Sequence, residues 1–325
     1  MPFYTRATMS DINVTFAGLP IGSPLIIEPA ARVLTHETAQ SAAGAGAGAV
    51  YAPPLDPARI NHQEDADEVT SHNQNDESRR ESNRIVRRLN IEGYLDELTE
   101  LARVTEVPVI APLTCDRTAD WLNLAEQLRE AGAAAIEIQP PVEELSRSQR
   151  SDAVEKSLLR ITTSVAGRID IPVLVRIPAG TYGLIALVQA LGDSDAAAVT
   201  IRPTQGAGSI DLNGPTLQDD GEFGAAREAL FHVQLGACRS LYRRVNPHLG
   251  LQLPPGRPAS VVEALLAGAT VGMLPVTGDD PSATARAVDE FHTRLAGWMH
   301  HHRADSLFAA RGVLSESRLS SSLEN

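Results

Sequence analysis

Short runs of apolar residues recur along the chain, and each run is bounded by glycine, proline or a charged residue. Runs of this length between turn residues are typical of strands that are buried on both faces. Eight segments predict such strands: Ser23 to Ala30, Ala45 to Pro54, Glu106 to Cys115, Ala131 to Pro141, Asp170 to Pro178, Gly192 to Pro203, Leu249 to Leu253 and Leu266 to Val276.

Helical patterns separate these predicted strands. Gly132 stands where a glycine would end one helix, and Asp280 before Pro281 predicts the start of another. Alternating strands and helices in this number favour a parallel sheet closed into a barrel, with an open doubly wound sheet as the alternative. Three groups of apolar residues carry the helical spacing: Leu95, Leu98 and Leu101; Trp121, Leu124 and Leu128; and Val288, Phe291, Leu295 and Trp298.

Two segments do not follow this alternation. Residues 63–84 are charged and nearly free of large apolar side chains, which predicts either a solvated helix with a loop or a mobile lid. Residues 314–325 have the composition of a disordered tail. We therefore predict one domain over residues 1–313, with a charged insertion at 63–84.

The charge and composition of the chain exclude several classes of function. A net charge of −13 disfavours nucleic acid and anionic membranes as partners. The amino-terminal residues lack a signal-peptide pattern and no apolar run is long enough to span a bilayer, so we expect a cytoplasmic protein. Two cysteines form neither a disulfide framework nor a metal knuckle. Three consecutive histidines, 300–302, project in different directions from a helix, so no metal site is predicted.

Three segments resemble the dihydroorotate dehydrogenase-like family. Residues 11–30, "DINVTFAGLPIGSPLIIEPA", are similar to the family's opening hairpin and first barrel strand. Residues 93–113 are similar to its third helix and strand, and residues 241–274 to its closing strands. The resemblance implies a (β/α)8 TIM barrel with an N-terminal β-hairpin. It also implies FMN at the carboxyl ends of the strands and oxidation of a CH–CH bond in a dihydropyrimidine-like molecule, often by a homodimer.

The chain departs from the family pattern at the positions that hold the flavin ring. Ser23 replaces an asparagine of the first strand motif, and Gln139 replaces an asparagine at the end of the fourth strand. Arg176 replaces a lysine of the fifth strand, and Arg202 replaces an asparagine at the end of the sixth. Exchange of lysine for arginine is not conservative where a flat ring must stack. The resemblance thus assigns these four positions to ligand binding.

The departure is greatest where the family binds the flavin phosphate. That phosphate is held by backbone N–H groups of a Gly-Gly turn after strand seven and of a small-residue turn after strand eight. Leu253 and Pro254 align with the Gly-Gly pair, Pro255 follows, and Pro275 lies after strand eight. Proline has no N–H to donate. Gly256 and Arg257 still offer one amide and one guanidinium to an anion through a different loop shape.

Four residues are candidates for the chemistry of the site. Arg176 and Arg202 lie on neighbouring predicted strands, so both guanidinium groups reach the same end of the barrel and suit a carboxylate or phosphate. The alternative is that each arginine pairs with an acid such as Glu137 or Glu28. Cys115 is either a thiolate nucleophile activated by Arg176 or a small buried hydrophobe. Glu137 is either a proton-transfer group or a partner of an arginine.

Three functions follow from these observations. The first is a barrel with a rebuilt, flavin-free site that binds a small anionic ligand, either as a non-redox enzyme or as a partner subunit. The second is an active FMN-dependent oxidoreductase with an unusual phosphate loop. The third is a structural pseudoenzyme, for which replacement of both Arg176 and Arg202 by alanine would leave function intact.

Overall fold

A computed structural model describes residues 12–30, 33–57, 76–115, 117–140, 151–203, 209–211, 216–218, 224–304 and 306–315. Eight parallel strands close into a barrel, so the closed alternative is confirmed over the open sheet. In chain order around the barrel these strands are β3 (Leu25–Pro29), β4 (Ala49–Tyr51), β5 (Val109–Leu113), β6 (Ala135–Ile138), β7 (Val173–Pro178), β8 (Ala198–Arg202), β11 (His248–Gln252) and β12 (Val271–Val276).

Helices follow the barrel strands and cover the outside of the barrel. Residues Leu98, Trp121, Leu128, Phe291 and Leu295 all bury their side chains in the apolar layer between helices and strands, as the helical spacing predicts. The helices are α1 (His36–Ala45), α2 (Asp76–Val104), α3 (Thr118–Glu130), α4 (Ser151–Ala166), α5 (Leu184–Asp193), α6 (Gly224–Leu241), α7 (Ser260–Ala267), α8 (Pro281–His302) and α9 (Leu307–Ala310).

The helix ends lie where the sequence predicts them. The Asp280 side chain accepts a hydrogen bond from the Ala283 backbone N–H at 2.8 Å, and Pro281 occupies the first helical position of α8. Gly132 follows α3 with φ of 97°, a left-handed conformation that glycine adopts without strain. Of the predicted insertion 63–84, residues 76–84 form the start of α2, and the rest lies outside the described residues.

A β-hairpin closes the bottom of the barrel, as the resemblance implies. Its strands are β1 (Val14–Phe16) and β2 (Leu19–Ile21), joined by Ala17 and Gly18. Phe16 is buried among the inward-facing residues of the lower barrel, and the Ala17 N–H donates to His248 Nδ1 at 2.9 Å. A second short hairpin, β9 (Ser209–Asp211) with β10 (Thr216–Gln218), has no counterpart in the sequence prediction.

The barrel interior has two chemically different halves. Its lower half is apolar, because inward-facing residues such as Ile26, Ala135, Leu174 and Ala198 pack against the hairpin. Two residues further along each strand the side chain faces inward again, since strand side chains alternate. On β3, β6 and β7 that next residue is charged, so the upper half of the interior holds ions.

Candidate functional site

Four charged side chains meet inside the barrel at the carboxyl ends of its strands. Glu28 comes from β3, Glu137 from β6, Arg176 from β7 and Arg202 from β8. The parallel register pairs Arg176 with Thr200 of β8 and Pro178 with Arg202, so the Arg202 backbone lies two residues nearer the mouth, and its side chain contacts the same two glutamates as Arg176. This is the end of a (β/α)8 barrel at which enzymes carry out their chemistry.

Each arginine contacts both glutamates. The Arg176 Nη2 atom lies 3.1 Å from Glu28 Oε1 and 2.9 Å from Glu137 Oε2. The Arg202 Nη1 atom pairs with Glu28 Oε2, and its Nη2 lies 3.3 Å from Glu137 Oε1. Two positive and two negative charges balance, which lowers the cost of burying them. The alternative that the arginines pair with Glu28 and Glu137 therefore describes this structure.

Glu137 accepts hydrogen bonds from neutral groups as well. Thr200 Oγ1 lies 2.5 Å and the Tyr51 hydroxyl 3.0 Å from Glu137 Oε1, while Gln139 Nε2 lies 2.8 Å from Oε2. Burial alone would raise the pKa of Glu137, but Arg176, Arg202 and the hydrogen bonds from Thr200 and Gln139 outweigh burial and lower it to about 2. A carboxylate held ionised by so many donors is an anchor, and it is a poor proton acceptor.

Tyr51 completes the wall of this cluster. Its side chain is fully buried, and the Arg202 guanidinium lies over its ring at 5.6 Å from the ring centre. Burial and the nearby charge of Glu137 raise the pKa of the Tyr51 hydroxyl well above its ordinary value. The hydroxyl consequently stays protonated and serves as a hydrogen-bond donor to Glu137.

The two arginines differ in access to solvent. The Arg202 side chain is 6% exposed, whereas that of Arg176 is 27% exposed. Burial alone would lower the pKa of Arg202, but Glu28 and Glu137 raise it above the ordinary arginine value, so its charge is permanent. Arg176 bonds through Nε and Nη2, and its Nη1 makes no hydrogen bond within the described part of the chain. Arg176 thus keeps one donor atom for a ligand.

A cleft of about 220 Å³ lies beside the charged cluster, at the mouth of the barrel. The side chain of Gln252 links the two, because it lines the cleft and its Nε2 donates to Glu28 Oε2 at 3.2 Å. Phe231 and Gln234 of α6 form one wall. The other lining residues are Ala30, Leu253 and four prolines, Pro203, Pro254, Pro255 and Pro275.

The residues of the cleft do not fit the phosphate cradle that the resemblance implies. Such a cradle needs backbone N–H groups pointing at the anion. Pro254, Pro255 and Pro275 line the cleft and have no N–H, and the Leu253 N–H already donates to Met273 O at 2.8 Å. The cleft volume is also below the range of about 300–1,000 Å³ that is usual for ligand pockets. The residues that line this cleft therefore do not fit the usual FMN phosphate cradle.

Gly256 and Arg257 lie in the turn after β11. Gly256 adopts φ of 70°, and Arg257 pairs through Nη1 with Glu228 Oε1 of α6 at 2.5 Å. The Arg257 side chain is 46% exposed, so this pair lies on the surface. An anion would have to compete with Glu228 for the Arg257 guanidinium.

Besides Gly256 and Arg257, two further predicted site residues lie away from the charged cluster. Ser23 precedes β3 at the opposite end of the strand from Glu28, where it is buried and its hydroxyl accepts from the Leu25 N–H at 3.3 Å. A residue at the start of a barrel strand cannot reach the mouth, and this corrects the predicted role of Ser23. Cys115 packs into the apolar layer outside the barrel, which matches its alternative as a buried hydrophobe.

The sequence prediction missed Tyr51, Thr200, Gln234 and Gln252. Thr200 lies two residues before Arg202 on one strand, so strict alternation would have found it. Gln252 ends its strand just before the prolines and was open to the same argument. Gln234 lies in the middle of helix α6 and carries no sequence signal, because only the packing of α6 brings it to the mouth.

The described residues show neither a metal-binding cluster nor a membrane-spanning helix. They contain no group of three or more histidine, cysteine or acidic side chains arranged to hold a metal ion. Within the same residues, no helix combines the length and apolar character needed to cross a membrane.

Comparison with known proteins finds similarity only at the level of structure. No protein-family model matches the chain, and neither does any curated protein sequence. A structure of mandelate oxidase with 3,3-difluoro-2-hydroxy-3-phenylpropionic acid superposes with a TM-score of 0.52 and 14% identity, over 96% of this chain and 84% of the other. Mandelate oxidase mutants with the monooxide FMN adduct and with the C4a-OH-FMN adduct each give a TM-score of 0.53 and 14% identity, over 96% and 85%.

These neighbours carry FMN adducts on barrels of the same architecture. The expected likeness to FMN-dependent barrels is thereby supported for the fold, while the dihydroorotate dehydrogenase-like family in particular is not singled out. At 14% identity the likeness establishes the (β/α)8 fold of this chain, and its ligand has to be argued from the residues at the mouth.

Proposed function

We propose that this chain is a flavin-free barrel of the dihydroorotate dehydrogenase-like kind that binds a small anionic ligand at the mouth, as a non-redox enzyme or as a partner subunit. The observation that carries the proposal is the state of Arg176. Its guanidinium is held by two glutamates through Nε and Nη2, and it is exposed enough to offer Nη1 to a carboxylate or phosphate.

Two features argue that flavin is no longer the ligand. The cleft that would receive the phosphate is lined by prolines instead of free backbone amides. The upper interior of the barrel is filled by two ion-paired arginines, and Arg202 projects over Tyr51 with only 6% of its side chain exposed. A flavin would need both the amides and the space.

The role of the charged cluster is to hold Arg176 in place. Arg176 contacts two glutamates from two different strands, so its planar group has a fixed orientation before any ligand arrives. A binding group that is already fixed loses little conformational entropy on binding. Since Glu137 is saturated with donors and Cys115 packs outside the barrel, Arg176 is the group we assign to ligand binding.

The competing function is an FMN-dependent oxidoreductase, and it is favoured by the superposition on mandelate oxidase structures with FMN adducts. The two functions differ in the absorbance of the protein as purified. We expect no oxidised-flavin band and no rise in melting temperature on adding FMN, because ligands stabilise only proteins that bind them. A flavin band that follows the protein through purification would establish the competing function.

The anion site is tested by melting temperature in the presence of acetate, propionate, malonate and inorganic phosphate. We expect at least one of these to stabilise the wild-type protein, and Arg176→Gln to abolish that effect. Arg103→Gln is the matched control, because Arg103 forms an exposed pair with Glu100 at the end of α2, away from the barrel mouth. Failure of every anion to raise the melting temperature would refute the proposed site.

A further inference from the structure

The cleft beside the charged cluster presents hydrogen-bond acceptors where a phosphate would need donors. We propose that it binds the ammonium group of a small amino acid whose carboxylate lies on Arg176. This inference rests on the proposed function for the carboxylate end and adds the second end of the ligand. The ligand class is therefore a zwitterion with a short carbon skeleton.

The prolines remove donors from the cleft. Pro203, Pro254, Pro255 and Pro275 all line it, and each lacks the N–H that other residues carry. A proline retains its carbonyl oxygen, which can only accept. Four prolines in one small cleft thus exclude the recognition of anions by backbone there.

The orientation of the Gln234 amide is fixed by its neighbours. Its Nε2 donates to Ile201 O at 2.9 Å and to the backbone O of Gln252 at 3.2 Å. Both partners are carbonyl oxygens that can only accept, so the nitrogen must face them. The Oε1 atom makes no hydrogen bond within the described residues, and it belongs to a side chain that is 2% exposed and lines the cleft. This oxygen is not one of the fully buried side-chain atoms that lack a partner, so it keeps contact with the solvent of the cleft and can accept a hydrogen bond from a ligand there.

The side-chain amide of Gln252 is oriented in the same way, with its nitrogen bonded to a member of the charged cluster. Its Nε2 donates to Glu28 Oε2 at 3.2 Å, and a carboxylate there excludes the reverse orientation of the amide. Its Oε1 likewise has no partner among the described residues, and the side chain is half-buried in the cleft wall. Both glutamines line the cleft, and the amide oxygen of each has no partner among the described residues, so a group with several N–H donors would satisfy both.

Glu28 connects this acceptor-lined cleft to Arg176. One oxygen of Glu28 accepts from Gln252 and the other from Arg176 Nη2 at 3.1 Å. One carboxylate group thus joins Gln252 Nε2 in the cleft wall to Arg176 Nη2. A ligand that touches both ends carries an ammonium and an acid a few bonds apart, which is the layout of an α-amino acid.

The remaining walls favour a short apolar side chain. Phe231 and Leu253 line the cleft with carbon, and the cleft volume of about 220 Å³ is below the range of about 300–1,000 Å³ that is usual for drug-sized ligands. Such a space suits alanine or valine better than an aromatic amino acid. The proposal therefore names small aliphatic amino acids as the first probes.

The test compares matched ligands by titration calorimetry with the full-length protein. L-alanine is compared with propionate and ethylamine, and L-valine with isovalerate and isobutylamine. In each comparison the acid lacks the ammonium group of the amino acid, and the amine lacks its carboxylate. We expect the amino acid to bind at least about tenfold more tightly than either truncated ligand, because a hydrogen bond to a charged group has about this effect. Inorganic phosphate and FMN are measured in parallel.

Three variants assign the effect to residues. Gln234→Leu and Gln252→Leu remove the acceptors, and each should lower amino acid affinity about tenfold while leaving propionate affinity unchanged. Gln189→Leu is the matched control, since Gln189 also donates its Nε2 to a backbone carbonyl, Arg244 O at 3.0 Å, but is outside the cleft. Circular dichroism and melting temperature show which variants fold. If only one of the two cleft variants folds, that variant alone is enough to test the role of the amide oxygens.

Each outcome decides between the inferences. Propionate binding as tightly as L-alanine would overturn the zwitterion and leave the anion site at Arg176 intact. Equal affinity of the glutamine variants and the Gln189 control for L-alanine would also overturn it. Binding of inorganic phosphate in place of the amino acids would overturn the zwitterion and leave the anion site intact. Binding of FMN, or no binding by any probe, would overturn both the zwitterion and the proposed function.

Discussion

At the scale of single residues, Arg202 shows how strongly this molecule depends on buried charge. Its side chain is 6% exposed and its guanidinium contacts Glu28 and Glu137, neither of which has free access to water. A buried ion pair contributes little compared with an apolar replacement of the whole pair, but loss of one partner leaves a buried charge without its counter-ion. The cluster is thus sensitive to single changes.

We expect Arg202→Met to lower the free energy of unfolding by about 3–5 kcal/mol, because Glu28 and Glu137 would keep only Arg176 as a counter-ion. Urea denaturation monitored by circular dichroism measures this loss. Arg103→Met removes an arginine from an exposed pair with Glu100 and should leave the urea midpoint nearly unchanged. Equal effects of the two substitutions would show that the buried cluster adds nothing to stability.

Glu137 gives stability a defined pH dependence. Its pKa is lowered from 4.5 to about 2 in the folded protein, so the unfolded chain takes up a proton first as pH falls. The resulting stability, roughly 3 kcal/mol, is fully present above pH 4.5 and is lost as pH falls from 4.5 to about 2. In Glu137→Gln this part of the pH dependence should be missing. Urea denaturation of both proteins across this pH range provides the measurement, and parallel curves would contradict the assignment.

At the scale of secondary-structure elements, two glycines with the same backbone conformation have different surroundings. Gly268 ends α7 with φ of 116°, and a Cβ at this position would lie 2.6 Å from the side chain of Tyr242. Gly256 in the turn after β11 has φ of 70°, and a Cβ there would meet no atom within 4 Å. Both positions favour glycine, but only the first is also crowded.

Gly256→Ala should therefore cost about 1 kcal/mol, the strain of a left-handed alanine. Gly268→Ala adds a clash with the Tyr242 ring and should cost about 1–3 kcal/mol more. Thermal or urea denaturation of both variants makes the comparison. A loss that is the same in both would mean that Tyr242 moves aside at no cost.

At the scale of the whole molecule, the last described segment is part of the folded barrel. The Gly312 N–H donates to Leu265 O at 2.8 Å and the Leu314 N–H to Leu266 O at 3.0 Å. Arg239 Nε donates to Leu314 O at 2.7 Å, and Ser315 is fully buried. Residues 312–315 thus pack against α6 and α7 and are hydrogen-bonded to both helices.

Truncation after residue 306 should lower the melting temperature by several degrees, because it removes these hydrogen bonds and the buried Leu307. The tail was predicted over residues 314–325, and its first two residues, Leu314 and Ser315, are instead part of the fold. Truncation after residue 315 should leave the melting temperature unchanged, as the polar composition of the rest of that tail predicts. Differential scanning calorimetry of the two shortened proteins and the full chain tests both statements. A large loss on removing 316–325 alone would refute the predicted tail.

Most of the fold could be predicted from the sequence, and the reason lies in local patterns. Each buried strand of the barrel is indicated by an apolar run between turn residues. Helix ends are indicated by Asp280 as the N-cap, Pro281 at the first helical position and Gly132 in the left-handed conformation. Closure into a barrel was one of two alternatives, since an open parallel sheet uses the same alternation. The hydrogen bonds between β12 and β3 decide it, and they join opposite ends of the chain.

The site was only partly predictable. Alternation along β6, β7 and β8 was sufficient to bring Glu137, Gln139, Arg176 and Arg202 together. It could not tell which arginine would be exposed, nor that five side chains would share the Glu137 carboxylate. Ser23 was misplaced because the resemblance gave its position in a motif without giving the end of the strand on which it lies.

The sequence by itself determined the eight barrel strands, the helical patterns between them, and the prolines after β11 and near the end of β12, because each depends on neighbours along the chain. Only the tertiary structure decided that the two arginines and two glutamates neutralise one another and that Gln234 reaches the mouth from a helix. Those outcomes depend on distances between residues far apart in sequence, and barrel closure sets these distances.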